Sequence, residues 1–173
     1  MDCLGSDFTD IPHELQTSMK MKIEIATIRD LPEILNLQLL AFQSVAEDLD
    51  WPDAPNMHET LAHAQQEFSH YTTLKLTDDE GNLLGSVRGK VEDDSLYIGR
   101  LMVLPECQGQ GYGSTLIREI EQRMPHRRAW LNTCEQLKGN VRLYERHGFH
   151  AFDHEPINNH LTRVFMEKLS KTA

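Results

Sequence analysis

Alternating and helical patterns follow one another along the chain. Lys22-Ile23-Glu24-Ile25-Ala26 alternates polar and apolar positions and predicts a strand. Leu31, Ile34, Leu35, Leu39 and Phe42 then form an apolar stripe at helical spacing. Asp30 and Glu33 make a capping-box-like start, with Pro32 suited to the first turn. Trp51-Pro52-Asp53-Ala54-Pro55 interrupts, and a second helix is expected over about 56–68. Residues 71–77 and 83–91 read as antiparallel strands around the turn Asp78-Asp79-Glu80-Gly81-Asn82. Glu92-Asp93-Asp94 turns the chain into a further strand, 95–103.

Residues 113–124 predict a helix with Leu116, Ile117, Ile120 and Met124 on one face, stopped by Pro125. A strand over 129–133 and a helix from about Asn140 to the helix-ending Gly148 follow. Residues 149–154 and 161–169 read as a closing hairpin. The sum is an α/β chain with a mixed sheet flanked by helices and no internal repeat. Residues 1–21 show no sustained periodicity and are expected to form an extension ahead of a single domain over 22–173.

The densest chemical signal follows the strand that ends at Leu101-Met102-Val103. A short turn leads into Gln108-Gly109-Gln110-Gly111-Tyr112-Gly113 at the start of a helix. Alternate glycines let the backbone approach a ligand, and the helix start offers free N–H groups and a positive dipole end. Such a loop is a socket for a polyphosphate. A nucleoside-triphosphate loop needs Gly-Lys-Ser/Thr, but Ser114 and Thr115 follow Gly113 with no lysine. A dinucleotide fingerprint needs a third glycine where Ser114 stands, although Glu135 lies about 20 residues on, where its acid would be expected. Only 60 residues follow the loop, too few for the rest of a doubly wound sheet, so an NAD(P)-dependent oxidoreductase is a remote alternative.

Gln108 to Gly113 after Val103-Leu104-Pro105 resembles the acetyl-CoA loop of the GCN5-related N-acetyltransferases. A second block, Asn140-Val141-Arg142-Leu143-Tyr144-Glu145-Arg146-His147-Gly148-Phe149, resembles the family's Asn…Tyr…Gly-Phe motif with one fewer residue between Asn and Tyr. The resemblance spans roughly 22–171. It implies a mixed, mostly antiparallel central sheet with helices on both faces, and acetyl-CoA as co-substrate for direct acetyl transfer to a primary amine. It implies that main-chain groups of Leu101, Met102 and Val103 pair with the pantetheine arm. Gln108, Gly109, Gln110, Gly111, Tyr112, Gly113 and Ser114 would hold the pyrophosphate, and Asn140 would bond the cofactor arm. Tyr144 would be the catalytic residue, protonating the departing thiolate. Homodimers are common in the family. A non-catalytic acetyl-CoA sensor on the same fold is the main alternative.

From spacing alone, Tyr144 reads as a core tyrosine and Asn140 as an N-cap. Gly99 marks either a bulge or a plain bend. Many relatives carry an acid ahead of the loop, where this chain has Gly99-Arg100. Glu135, Glu47, His70 or a water chain are left to take the ammonium proton.

Composition narrows this further. A chain of 173 residues, 39% hydrophobic, suits one domain with a core. No apolar run approaches the roughly 18 residues of a membrane span. Cys3, Cys107 and Cys134 lack paired spacing, which points to a reduced, cytoplasmic protein. The nine histidines show no metal-ligand spacing. Nothing arranges a base around Cys134, so direct transfer is preferred to an acetyl-cysteine route.

The net charge of −10 is uneven: residues 30–74 hold eight carboxylates and no Lys or Arg, leaving 19 of the 27 acids against all 17 bases elsewhere. A nucleic-acid partner is not expected of such a surface. The acidic segment reads either as solvated helix faces or as a mouth that attracts a cationic amine. Arg118, Arg123, Arg127 and Arg128 are candidates for the cofactor's 3′-phosphate, or ordinary surface charges.

Overall fold

The computed structural model describes residues 20–170, so the expected extension lies almost wholly outside the described residues. The strands are β1 Lys22–Ile25, β2 Thr72–Thr77, β3 Leu83–Glu92, β4 Ser95–Val103, β5 Arg128–Cys134, β6 His150–Pro156 and β7 Thr162–Leu169. The helices are α1 Leu31–Asp48, α2 Leu61–Phe68, α3 Tyr112–Arg123 and α4 Lys138–Arg146. The seven strands lie in the order β1-β2-β3-β4-β5-β7-β6. Only the β4–β5 pair is parallel; the other five are antiparallel. The closing hairpin is present, but β7 inserts beside β5 and leaves β6 at the edge.

Helices cover both faces. Leu116, Ile117 and Ile120 of α3 are fully buried against Leu74, Leu76, Val87 and Leu96. Each such side chain stabilises by roughly 1.5–3 kcal/mol. Ile34, Leu37 and Ala41 of α1 pack on the other face with Ala26 and Met102. The expected cap at Asp30 and Glu33 sits one turn earlier. A 3₁₀ turn at Ile28–Asp30 precedes α1, and Asp30 Oδ2 accepts the Thr27 N–H at 2.7 Å. The α4 helix likewise begins at Lys138, with Leu137 in the capping position, so Asn140 lies inside the first turn and is not the cap.

One irregularity shapes the middle of the sheet. Pairing passes from Arg88↔Gly99 to Ser86↔Met102, so Arg100 and Leu101 together face Val87. Arg100 is left-handed, with φ 52°. This is a bulge, which settles the alternative left open at Gly99. A Cβ on Gly99 would lie 2.9 Å from the Tyr97 ring, so the residue must be glycine for that ring to fold across it. The extra residue also reverses side-chain parity. Leu96 and Ile98 point to the α3 face, and past the bulge Leu101 and Val103 do so while Met102 points to α1.

Candidate active site

β4 and β5 pair only from Ser95↔Arg128 to Tyr97↔Trp130. Beyond, β4 pairs with β3 alone and β5 with β7 alone. The two strands part where the bulge adds twist, and each turns a main-chain edge toward the gap. A free edge of this kind accepts an extended, amide-bearing ligand as it would another strand.

A cavity of about 330 Å³ occupies the wedge, within the range of small-molecule sites. Its wall includes Tyr97, Gly99, Arg100 and Leu101 near the bulge, with Asn132, Thr133 and Cys134 opposite. Asn140 and Tyr144 close it from α4, and Phe42, Val45 and Trp51 supply an apolar side. Tyr144 is 7% exposed, its ring edge-on to Phe149 at a centroid separation of 6.3 Å. Burial, and then the nearby Tyr97 phenol, push its hydroxyl well above the ordinary tyrosine range.

Three of the expected site residues, Leu101, Asn140 and Tyr144, thus meet at one cavity. The Met102 side chain is buried under α1, which leaves only its main chain for a ligand. Val103 packs toward the α3 core, and its carbonyl accepts Gln108 Nε2 at 3.4 Å. The glycine loop lies past the end of β4 and is not part of the cavity wall. Gly109 and Gly111 are left-handed, with φ 78° and 85°, and the space beside each is open. Gln110 is exposed, while Tyr112 packs on the core and Gly113 sits in the first turn of α3 against Leu143. The Ser114 hydroxyl is already engaged, 2.9 Å from His147 Nε2. Burial, reinforced by Arg118, holds that imidazole below its ordinary range.

The base candidates fare differently. Glu135 pairs with His154 at 3.6 Å, Glu47 accepts from Gln43 at 3.2 Å, and His70 lies 3.8 Å from Glu67. None is on the wall, which among the described residues contains no Asp, Glu or His. Cys134 faces the cavity, its thiol donating to Gln136 Oε1 at 3.1 Å. Of the four candidate arginines, Arg118 stays beside the first turn of α3, 3.4 Å from Thr115 Oγ1. Arg123, Arg127 and Arg128 are paired with Glu119, Asp94 and Glu167. No metal-holding cluster occurs among the described residues.

A buried polar group beside the cavity was not anticipated from the sequence. Glu59 accepts Gln38 Nε2 at 2.8 Å, contacts His63 Nδ1 at 3.0 Å and pairs with Arg100 Nη2 at 3.3 Å. Burial pushes its carboxyl up, but the Gln38 and His63 hydrogen bonds and the Arg100 charge outweigh that and hold it below the ordinary range. Arg88 lies over the Tyr71 ring at 3.9 Å. These residues come from α1, β3, β4 and the chain around α2, and apart from the i, i+4 step from Glu59 to His63 no local spacing links them.

The model of the Acetyltransferase (GNAT) family matches residues 31–149. The S-alkylcysteine N-acetyltransferase of Bacillus subtilis (strain 168) is 27% identical over 108 residues, 58% of this chain; the match spans 58% of that relative's length. Among solved structures, the PaiA N-acetyltransferase of Thermoplasma acidophilum in complex with coenzyme A superposes with a TM-score of 0.75 at 18% identity, covering 88% of this chain and all of that one. A phosphinothricin acetyltransferase from Sinorhizobium meliloti, in complex with acetyl-CoA, gives 0.70 at 18% identity over 87% of this chain and 89% of its own. With the family model matched over most of the chain, this protein belongs to the acetyltransferase (GNAT) family.

Proposed function

We propose that the protein transfers acetyl from acetyl-CoA directly to a primary amine. The observation that carries this reading is the parting of β4 from β5 around a cavity walled by Tyr144. The free β4 edge is suited to the amides of a pantetheine arm, and the loop from Gln108 to Ser114 to a pyrophosphate at the start of α3. Both solved relatives named above carry coenzyme A or its acetyl thioester, which agrees with that fit.

The bound thioester supplies the activated acyl group. The amine nitrogen forms the new C–N bond at the carbonyl carbon as the C–S bond breaks. Tyr144 supports the departing sulfur by donating a hydrogen bond and regains any transferred proton from solvent. With no carboxylate or imidazole on the wall among the described residues, the ammonium proton leaves through water. Positioning of amine and thioester accounts for most of the remaining rate.

Among the described residues the acidic segment puts no carboxylate on the cavity wall; Asp30 is held by Lys75 at 2.9 Å, and Glu59, beside the cavity, by Gln38, His63 and Arg100. The relatives' names span different amines, S-alkylcysteine and phosphinothricin among them. A thiol-release screen of acetyl-CoA across amine classes tests the reading. Release dependent on an amine, with the acetylated product seen by mass spectrometry, supports it. Tight acetyl-CoA binding without release in any class would make the protein a sensor instead.

A further inference from the structure

The cavity wall carries three arginines, Arg88, Arg100 and Arg163, and no carboxylate among the described residues. Arg163 points to Glu155 at 3.6 Å near the surface. Arg88 and Arg100 also line a smaller hollow between α1, α2, β3 and β4, where Glu59 is the one acid. A single carboxylate cannot neutralise two guanidiniums. Arg100 reaches Glu59, whereas Arg88 stacks on Tyr71 and forms no ion pair among the described residues. Each keeps one buried donor without an acceptor, Nε of Arg88 and Nη1 of Arg100. Burying an unpaired donor or charge is costly, so the arrangement is stabilised by an added anion.

The cofactor's phosphates do not account for this excess. The glycine loop lies past the end of β4, and none of residues 108–114 lines the cavity. Arg88 and Arg100 open instead toward α1 and α2, beside the apolar wall of Phe42, Val45 and Trp51.

We infer that the acceptor is an amine bearing a carboxylate and an apolar substituent, and that Arg88 and Arg100 bind its carboxylate. The inference rests on the acetyl-transfer reading and names the substrate class of that same site. A guanidinium fork matches a carboxylate with two parallel hydrogen bonds, and both side chains line the cavity, where their excess positive charge favours an anion. The free amine then lies toward the gap between β4 and β5, and the apolar substituent lies against Trp51.

The test uses matched pairs that differ in the carboxylate alone: phenylalanine against phenethylamine, leucine against isoamylamine, methionine against 3-(methylthio)propylamine, with spermidine as a polycation. We expect kcat/KM at least a hundredfold higher for the acid of a pair, and Arg88→Gln to shrink that ratio at least tenfold, mainly through KM. Arg88→Lys should restore part of it, because charge returns without the fork. Thermal melting and acetyl-CoA binding check that each variant folds, and the wild-type pair ratios decide the matter even if one does not. Equal turnover within pairs, or a preference for spermidine, overturns the inference and leaves acetyl transfer standing. A pair ratio unmoved by a folded Arg88→Gln overturns the role of Arg88. No turnover of any member, when the wider screen finds another amine acetylated, overturns this inference alone, whereas no release in any amine class overturns acetyl transfer and this inference with it.

Discussion

Replacing Tyr144 with phenylalanine removes one hydroxyl and leaves the ring in place. The ring is 7% exposed and keeps its edge contact with Phe149. Among the described residues no group hydrogen-bonds its hydroxyl, so no protein partner there is orphaned when it goes. Stability should therefore change by less than about 0.5 kcal/mol. Burial keeps the phenol protonated, and far less acidic than a thiol near pKa 8.5. Complete proton transfer to a thiolate is then uphill by about 1.4 kcal/mol for every unit of difference. The hydroxyl acts chiefly as a hydrogen-bond donor to sulfur as charge grows there. Such a bond to a charged group is worth about 1.5–3 kcal/mol, or roughly 10- to 150-fold in kcat.

The assay is steady-state thiol release at saturating acetyl-CoA, with acetyl-CoA affinity from calorimetry and folding from thermal melting. Affinity and melting should stay near wild type. A kcat within twofold of wild type would reduce Tyr144 to a core residue. A loss beyond about 10⁴-fold in a folded variant would refute the hydrogen-bond argument and require full proton transfer in the rate-limiting step.

Gly111→Ala meets open space but must hold φ 85°, so it strains the backbone by about 1–2 kcal/mol and should weaken acetyl-CoA binding severalfold in calorimetry; unchanged affinity would remove the loop from the pyrophosphate site. The Glu59 carboxyl is held below its ordinary value of 4.5, so its contribution to stability is present above that pH and lost as pH falls through the folded-state value. Glu59→Gln should melt lower at pH 7 and lose part of the acid-side slope; a slope identical to wild type would contradict the Gln38, His63 and Arg100 contacts. Gly85→Ala would place Cβ 2.9 Å from the Met102 carbonyl and 3.1 Å from Leu116, and should destabilise by about 1–3 kcal/mol in urea unfolding. Wild-type stability there would show that β3 and β4 are not packed as described.

Features governed by neighbouring residues were legible in the chain. Alternation located all seven strands within a few residues, because side-chain parity is local. The glycine loop was legible for the same reason: left-handed turns at Gly109 and Gly111 are set by adjacent backbone sterics. The insertion of β7 between β5 and β6 was not, since strand order is decided by long-range packing. Asn140 was misplaced as a cap because Lys138 and Gly139, unremarkable in sequence, begin the helix. The meeting of Arg88 with Arg100 escaped notice because a register, not a spacing, brings them together. The pairing of the acidic segment was not legible for a related reason. Its charge is conspicuous in composition, yet Asp30 and Glu59 are turned to Lys75 and Arg100, partners supplied by distant strands.

The bulge at Arg100 ties the two halves of the site to one backbone event. An added residue increases local twist, and β4 leaves β5 directly after Tyr97. That separation creates the free edge suited to a pantetheine arm. The same residue inverts parity, so Met102 enters the α1 core while Leu101 lines the gap. It also turns the Arg100 side chain toward Glu59 and the hollow under α1 and α2. Restoring regular pairing by removing one residue would reverse the facing of Leu101, Met102 and Val103 together and close the gap. On the proposed reading, acceptor recognition and thioester placement are therefore coupled through β4, and Arg100 belongs to the same backbone device that parts β4 from β5.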